Sequence, residues 1–404
     1  GELGLGTVES EPLPVRVGTN SDWSTIATGY TYACGLRSGA LFCWGENENG
    51  RLGDGTTVDR LQPTQVGSSS NWTAVTTGHS GHACGLLAGE LHCWGYNYFG
   101  QLGDGTTDSR SAPVRVGAQS DWQSVSAGSG FTCGIRSGEL YCWGANYSGQ
   151  LGSGAVTSPQ HQPTRVGSAT NWSMVDAASD HACGIRDGAL YCWGEGQYGR
   201  VGDGTNTDRT APVRIGLESD WVSVTTGGFH SCGLRGERLY CWGWNDFGQV
   251  GDGTLSSASA PVEMLPGLGW HYVGAGSQSN CAIRGGVLYC WGGHILDVGR
   301  SWTPRPVGFH GPTGPCGVFE EACPDGFECT EMGTCLSVES DELWISSGDF
   351  WMGCNGTLDP DCDEDELEAH LVSISAHAID RHEVTADEYA TCVGAAVCDE
   401  PGPG

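Results

Sequence analysis

The sequence predicts an all-β fold built from repeats, and two observations carry that prediction. The first is a twelve-residue phrase, Cys-Gly-Leu/Ile-Arg-x-Gly-x-Leu-Tyr-Cys-Trp-Gly, that returns six times with small variations along the 404 residues. The second is its spacing, because successive first cysteines lie 50, 49, 50, 49 and 49 residues apart. A period of about fifty residues is typical of folds in which supersecondary units stack on one another.

Each repeated phrase is predicted to form a β-hairpin. Ser38-Gly39 and its counterparts are glycine-bearing pairs, whose backbone twist suits a two-residue hairpin turn. Counting outward from that turn, Cys34 faces Cys43 at a non-hydrogen-bonded position, so a cross-strand disulfide is geometrically reasonable. The same count pairs all twelve cysteines of the repeats: Cys34 with Cys43, Cys84 with Cys93, Cys133 with Cys142, Cys183 with Cys192, Cys232 with Cys241, and Cys281 with Cys290.

Two tryptophans per repeat supply large apolar surfaces for the core. They are Trp23 and Trp44, Trp72 and Trp94, Trp122 and Trp143, Trp172 and Trp193, Trp221 and Trp242, and Trp270 and Trp291. A hairpin this short is not stable alone, so the repeats must bury these rings by stacking. We interpret the tryptophans and the paired cysteines as structural residues. His82, His181 and His230, which precede a cysteine in three repeats, are interpreted as packing residues, because other repeats carry unrelated residue types there.

The complete repeat resembles that of the regulator-of-chromosome-condensation family. The resemblance rests on Trp-x-x-Val before the first cysteine and on a Trp-Gly-x-Asn-x-x-Gly-Gln-Leu-Gly-Asp-Gly-Thr run after the second. It covers about residues 1–308 and implies a β-propeller of the seven-bladed type, with four short strands per blade. Six complete cysteine-paired hairpins and a half repeat at residues 1–6 are present, so we expect a truncated start and one missing hairpin.

Charge argues against a nucleic-acid partner. The net charge is −30, and all 18 basic residues are arginines. Through residue 308 there are 26 acidic and 17 basic residues, and from residue 309 onward there are 22 acidic residues and one arginine. Neither part offers the basic stripe that phosphate binding requires, so DNA or RNA binding is not expected.

Cysteine usage predicts the compartment. All 20 cysteines can be placed in pairs, which favours an oxidising environment: extracellular, periplasmic or at the cell surface. No run of eighteen apolar residues occurs, so no membrane-spanning helix is expected.

Residues 309–340 are predicted to form a cysteine-rich linker. It contains Cys316, Cys323, Cys329 and Cys335. Disulfides are favoured over zinc because the spacings are loose and no histidine lies among the four.

Residues 343–404 resemble the opening of the formylglycine-generating (sulfatase-modifying factor) domain family. The matching segments are 348–353, 365–372 and 379–389, with Ala369 where that family usually has proline. The resemblance implies an α+β domain several times longer than this segment, with its catalytic cysteines beyond residue 404. No catalytic residue, metal ligand or cofactor is therefore assigned to this chain.

The acidic run at residues 359–366 suggests calcium, but it fails as an EF-hand. That loop needs glycine at its sixth position and glutamate at its twelfth, where this chain has Glu364 and His370. A solvated acidic loop tied by Cys354 and Cys362 is the preferred interpretation, and a weak calcium contact is the alternative left open.

Function is predicted to reside in the variable positions that follow each Trp-Gly. Structural positions recur from repeat to repeat while these differ, and all of them should emerge on one rim. Tyrosine and tryptophan on rigid loops are typical of protein-binding hot spots. The candidate binding residues are Glu46, Glu48, Tyr96, Tyr98, Tyr147, Trp244 and Asp246.

Three functions are consistent with these features. The preferred one is an exported, disulfide-stapled scaffold that binds a protein and is not catalytic in this segment. The second is the targeting domain of a formylglycine-generating-class enzyme. The third, a guanine-nucleotide exchange regulator or chromatin binder, is disfavoured by the disulfides and the acidity, because such partners occupy reducing compartments.

Overall fold

The computed structural model describes residues 1–9, 15–295 and 299–307, and beyond these the backbone of six short strands. The chain divides into two compact units, Gly1–Val307 and Gly308–Gly404, which are described separately. The acidic loop with Cys354 and Cys362, and the linker cysteines Cys316 and Cys323, lie outside the described residues.

The first unit consists of six four-stranded antiparallel sheets, each a simple meander, which we call blades 1 to 6. Blade 1 contains β1 (Trp23–Thr28), β2 (Tyr32–Arg37), β3 (Ala40–Gly45) and β4 (Arg60–Gln65). Blade 2 contains β5 (Trp72–Thr77), β6 (His82–Leu87), β7 (Glu90–Gly95) and β8 (Arg110–Arg115). Blade 3 contains β9 (Trp122–Ala127), β10 (Phe131–Arg136), β11 (Glu139–Gly144) and β12 (Gln160–Arg165).

The remaining blades repeat this order. Blade 4 contains β13 (Trp172–Ala177), β14 (His181–Arg186), β15 (Ala189–Gly194) and β16 (Arg209–Arg214). Blade 5 contains β17 (Trp221–Thr226), β18 (His230–Arg235), β19 (Arg238–Gly243) and β20 (Ala258–Glu263). Blade 6 contains β21 (Trp270–Ala275), β22 (Ser279–Arg284), β23 (Val287–Ile295) and β24 (Gly299–Pro306).

The all-β propeller architecture is confirmed, but the expectation of seven blades is wrong: the described residues form six. Residues 1–6 build no blade of their own. They dock on blade 1, where Trp44 Nε1 donates to the Glu2 carbonyl at 2.8 Å and the Gly6 amide donates to the Leu61 carbonyl at 2.8 Å. Each later blade receives the loop of the blade before it in the same way; for example, Trp94 Nε1 donates to the Arg51 carbonyl at 3.0 Å.

The predicted hairpin register and disulfides are confirmed in every blade. Cys34 lies opposite Cys43 and Leu36 opposite Leu41, as the turn at Ser38-Gly39 requires. All six cysteine pairs form disulfides, with Cα–Cα distances of 4.0–4.1 Å. In chain order the bonds join Cys34 to Cys43, Cys84 to Cys93, Cys133 to Cys142, Cys183 to Cys192, Cys232 to Cys241, and Cys281 to Cys290.

The core lies between consecutive blades. The cysteine face of one blade packs against the tryptophan face of the next, so Cys34 and Leu41 of blade 1 share a cluster with Trp72 and Trp94 of blade 2. The ring of Trp72 also lies so close to Gly85 that a Cβ there would approach it to 2.9 Å. This explains the glycine of the Cys-Gly pair in blades 1 to 5, since a side chain there would press on the tryptophan; blade 6 has Ala282 at this position.

The second unit is described by six strands. One sheet has the order β25 (Phe327–Cys329), β26 (Cys335–Ser337), β27 (Glu342–Ile345) and β30 (His377–Asp380). A second sheet pairs β28 (Gly348–Met352) with β29 (His370–Ile374). The described residues of this unit are all in strands, so the expected helical component is not among them.

Candidate functional site

The loops that follow each Trp-Gly emerge at one end of the blades, together with the turns between first and second strands. Backbone hydrogen bonds join the two; the Tyr96 amide donates to the Gly81 carbonyl at 3.0 Å, and the Trp244 amide to the Phe229 carbonyl at 2.9 Å. We call this end the loop rim; its variable loops begin at residues 46, 96, 145, 195 and 244.

Four of the five loops are held by a buried asparagine side chain, and in the blade 4 loop, where that position is Gly196, the Gly196 amide donates to Asp208 Oδ1 at 2.9 Å. In blade 2 the Oδ1 of Asn97 accepts a hydrogen bond from the Leu102 amide at 3.0 Å, while its Nδ2 donates to the Thr106 and Asp108 carbonyls. Equivalent contacts occur in blades 1, 3 and 5, where the side chains are Asn47, Asn146 and Asn245. The loops are therefore ordered by the fold, and little conformational entropy remains to be lost on binding.

Aromatic rings connect the loops of blades 2 and 3. Tyr96 and Tyr98 are stacked with 6.4 Å between ring centroids, Tyr98 meets Phe99 edge-on at 5.1 Å, and Phe99 meets Tyr147 edge-on at 5.8 Å. We call these four residues the first aromatic cluster. Its outer members are open to solvent, Tyr98 being 67% exposed and Tyr147 60%.

A second aromatic cluster, Tyr198, Phe229, Trp244 and Phe247, connects blades 4 and 5. Trp244 is central, with ring centroids 5.9 Å from Tyr198, 5.4 Å from Phe229 and 5.1 Å from Phe247. Beneath it, the Arg200 guanidinium lies 4.5 Å from the Phe229 ring centroid. The Arg200 side chain is buried, and its cation–π contact with Phe229 stabilises the cluster.

Three acidic residues of the loop rim form ion pairs with arginines of the same loops. Arg51 binds Glu46 at 2.8 Å and Glu48 at 3.3 Å, and Arg200 binds Glu195 at 2.9 Å. Burial raises the pKa of Glu195, and the neighbouring Arg200 opposes that rise.

The twelve repeat cysteines, to which the sequence assigned a structural role, lie away from the loop rim. Each blade carries one on its second strand and one on its third, next to the blade-to-blade core. The second-strand members are Cys34, Cys84, Cys133, Cys183, Cys232 and Cys281, and the third-strand members are Cys43, Cys93, Cys142, Cys192, Cys241 and Cys290. Because all twelve are joined in disulfides, none of them offers a free thiol for catalysis or metal binding.

No metal or membrane feature is found in the part of the chain that the structure describes. No group of three or more histidine, cysteine, aspartate or glutamate side chains there could hold a metal ion. Within the same residues, no helix is both long and apolar enough to cross a lipid bilayer.

Comparison with known families matches residues 1–300 to the RCC1-like domain. The chain belongs to the RCC1-like domain family. A comparison with curated proteins finds no match.

Solved structures agree with this RCC1-like propeller at the level of the fold. Human WBSCR16 is similar with a TM-score of 0.66 and 22% identity, covering 76% of this chain and 85% of that one. Prp20p from Saccharomyces cerevisiae has a TM-score of 0.61 and 21% identity, covering 70% of this chain and 76% of its own. Yeast RCC1 (Prp20) bound to Kap60 has a TM-score of 0.62 and 20% identity, covering 76% of this chain and 81% of its own.

The loop rim of the RCC1-like propeller contains all seven candidate residues that the sequence selected, but not as one patch. Tyr96, Tyr98 and Tyr147 are brought together in the first cluster, and Trp244 stands in the second. Glu46 and Glu48 form a separate ion-pair group with Arg51. Asp246 is exposed beside the second cluster.

Sequence reasoning missed four aromatic members. Phe99, Tyr198 and Phe247 occupy the position directly before the repeated glycine of the loop, and Phe229 lies in the turn between β17 and β18. The recurrence of aromatic residues before that glycine was a usable signal. Another was the co-occurrence of Glu46 with Arg51 and of Glu195 with Arg200, at positions where the other repeats carry uncharged pairs.

Proposed function

We propose that this RCC1-like propeller is an exported scaffold that binds a protein through the two aromatic clusters of its loop rim. The observation that carries the proposal is that each cluster joins loops from two blades through ring contacts of 5–6 Å. Such clusters offer rigid, amphipathic contact area of the type that dominates protein-binding hot spots.

Export is supported by the chemistry of the repeats. Six disulfides, one in each blade, persist in an oxidising compartment and are rare in a reducing one. A disulfide map of unreduced protein from its native source tests this part; six intact links support export, and free thiols in the purified native protein would contradict it.

Protein binding has a precedent on the same fold. Prp20p is reported with binding properties to Gsp1p and histones, and yeast RCC1 (Prp20) is seen bound to Kap60. Identities of 20–22% carry only the fold, so these structures do not identify the partner of this chain. The exchange-factor alternative is disfavoured by the disulfides. The enzyme-targeting alternative rests on the sequence resemblance of residues 343–404.

Site-specific photo-crosslinking in the native source tests the rim. A benzophenone amino acid at Tyr98, Tyr147 or Trp244 should capture one and the same polypeptide. Tyr272, which is 61% exposed on β21 outside both clusters, is the matched control. Capture of the same set of proteins from Tyr272 as from Tyr98 would overturn the assignment.

A further inference from the structure

The outer edge of blade 3 departs from the pattern of its neighbours. In blades 1, 2 and 4 the loop aspartate forms an ion pair with the first arginine of the outer strand: Asp54 with Arg60 at 2.6 Å, Asp104 with Arg110 at 2.8 Å, and Asp203 with Arg209. These carboxylates are nearly buried. In blade 3 the two positions are held by Ser153 and Gln160, which carry no charge.

Loss of that pair leaves an open space. A cavity of about 240 Å³ lies between Ser153, Thr157 and Gln160, above Leu151 and Val166. A second cavity of about 380 Å³ shares Ser153 and Val166 with the first. It continues to blade 4, where Trp172, Arg186 and Tyr191 line it. The second volume alone falls within the size range of small-molecule sites, roughly 300–1,000 Å³. We call the two together the blade 3–4 groove.

Two arginines line this groove: Arg165 pairs with Glu139 at 2.8 Å, whereas Arg186 lacks the carboxylate that its counterparts have. Arg37, Arg136 and Arg235 occupy the same hairpin position and pair with Asp22 at 3.8 Å, Asp121 at 3.5 Å and Asp220 at 3.3 Å. In blade 4 Asn171 replaces that aspartate, and its amide binds Asp187 instead. Among the described residues, no carboxylate forms an ion pair with Arg186.

The Arg186 side chain is held in place by aromatic rings. Its guanidinium lies 4.4 Å from the Tyr191 ring centroid and 5.3 Å from that of Trp172, and its Nη2 donates to the Tyr191 hydroxyl at 2.7 Å. A guanidinium has five N–H donors in a planar fork that matches a carboxylate. Arg186 therefore presents a fixed cation with unused donors beside a cavity of mixed lining, in which Trp172, Tyr191 and Val166 supply the apolar surface.

We propose that the blade 3–4 groove binds a small organic carboxylate. Its carboxylate pairs with Arg186, and its apolar body lies against Trp172, Tyr191 and Val166. Asn171 in place of aspartate leaves Arg186 without the ion pair of its counterparts, and the carboxylate of Asp187 is bound by the Asn171 amide instead. This site is separate from the loop rim and does not depend on the function proposed there.

Titration of the complete 404-residue protein with benzoate, followed by ligand-observed NMR, tests the site. Benzoate should bind saturably in the millimolar range, and the neutral isostere benzyl alcohol should bind about tenfold more weakly or not at all. Arg186→Ala should weaken benzoate binding about tenfold or more. Arg284→Ala is the matched control. Arg284 lies 5.6 Å from the Trp270 ring centroid and, among the described residues, also has no carboxylate partner, but it lines neither cavity.

A second variant keeps the test decisive if Arg186→Ala does not fold. Arg186→Gln keeps a polar side chain at this position but removes the cation, so it should weaken benzoate binding about tenfold or more while the thermal unfolding temperature is kept. The proposal is overturned if benzoate shows no saturable binding, or if benzyl alcohol binds equally well. It is also overturned if Arg284→Ala loses as much affinity as Arg186→Ala, or if Arg186→Gln binds benzoate as tightly as the unchanged protein.

Discussion

His230 of blade 5 and Asn280 of blade 6 form a buried hydrogen bond, with 2.8 Å between Nε2 and Oδ1. The Nδ2 of Asn280 donates to the Gln249 carbonyl at 2.7 Å, so its Oδ1 accepts a hydrogen bond from the histidine Nε2–H. His82 with Thr132 and His181 with Ser231 make the same contact between other blades, at 3.0 and 2.9 Å.

The residue types at these two positions vary together within the chain. Where the first position is not histidine, the partner position in the next blade is alanine. Tyr32 of blade 1 corresponds to Ala83 of blade 2, and Phe131 of blade 3 corresponds to Ala182 of blade 4. The interpretation of the histidines as packing residues was therefore incomplete, because they also bond the next blade.

This pairing predicts the outcome of a double-mutant cycle. Asn280→Ala leaves the buried Nε2–H of His230 without an acceptor and should lower the free energy of unfolding by about 1–3 kcal/mol. His230→Phe with Asn280→Ala recreates the Phe131 and Ala182 pair and should recover most of that loss. Urea unfolding with the disulfides intact measures both, and additive losses in the double variant would contradict the account.

Burial of the histidines predicts destabilisation by acid. It lowers the pKa of His82 to about 3 and that of His230 to about 4, and it lowers the pKa of His181 well below its usual range. Because the folded-state pKa is below the unfolded one, near 6.5, stability is full above about pH 6.5 and is lost as the pH falls. The shifted pKa of His82 alone should lower the free energy of unfolding by about 2 kcal/mol at pH 5.

Thermal unfolding between pH 7 and pH 5 measures this loss. The control combines His82→Phe, His181→Phe and His230→Phe with alanine in place of their partners Thr132, Ser231 and Asn280. Its unfolding temperature should change less over the same range. Equal slopes in the two proteins would show that the buried histidines are not the cause.

A carboxylate on the inner strand of blade 4 predicts the opposite pH dependence. Asp176 accepts hydrogen bonds from Ser126 Oγ of blade 3 at 3.0 Å and from the Thr226 amide of blade 5 at 2.7 Å. Burial raises its pKa above the usual value, and these hydrogen bonds oppose the rise. Its contribution to stability is therefore greatest at low pH and is lost as the pH rises through the folded-state pKa.

Asp176→Ser tests this point, because Ser126 at the same position of blade 3 already accepts the next blade's amide, that of Ala177, at 2.9 Å. As the pH rises from 4 to 7, the free energy of unfolding of the variant should increase relative to that of the unchanged protein. A variant that loses stability over that range would contradict the prediction.

The six disulfides are predicted to differ in accessibility. The ten cysteines of blades 1 to 5 are 0–1% exposed, whereas Cys290 is 4% exposed and Cys281 is half-buried. Among the described residues, no later blade covers the cysteine face of blade 6. Graded reduction under native conditions, followed by alkylation and peptide mass spectrometry, should modify Cys281 and Cys290 first. First modification in any other blade would contradict this.

The hairpins were predictable from sequence because a two-residue turn fixes the register of both strands around it. Once Ser38-Gly39 is a turn, the pairing of Cys34 with Cys43 and the face of Leu36 follow by alternation. The number of blades was not predictable in this way, because it came from a family resemblance and no local contact determines it.

The loop rim was predicted only in part, because the strand alternation rule does not apply in loops. Tyr198 has φ of +62°, a left-handed conformation that no repeat pattern of hydrophobicity reveals. Glu46 was selected as a binding residue because it varies between repeats, but it varies together with Arg51, its ion-pair partner. Variation between repeats therefore marks both binding positions and internal pairs.

The central claim is that the aromatic clusters of the loop rim bind a protein. The most direct test is the affinity, by surface plasmon resonance, of the photo-captured polypeptide for three proteins: the unchanged chain, the double variant Tyr98→Ala with Tyr147→Ala, and Tyr272→Ala. Loss of hot-spot side chains costs about 2 kcal/mol or more each, so the double variant should bind at least about thirtyfold more weakly, and Tyr272→Ala should bind unchanged. Affinities within about twofold of each other for all three proteins would contradict the account.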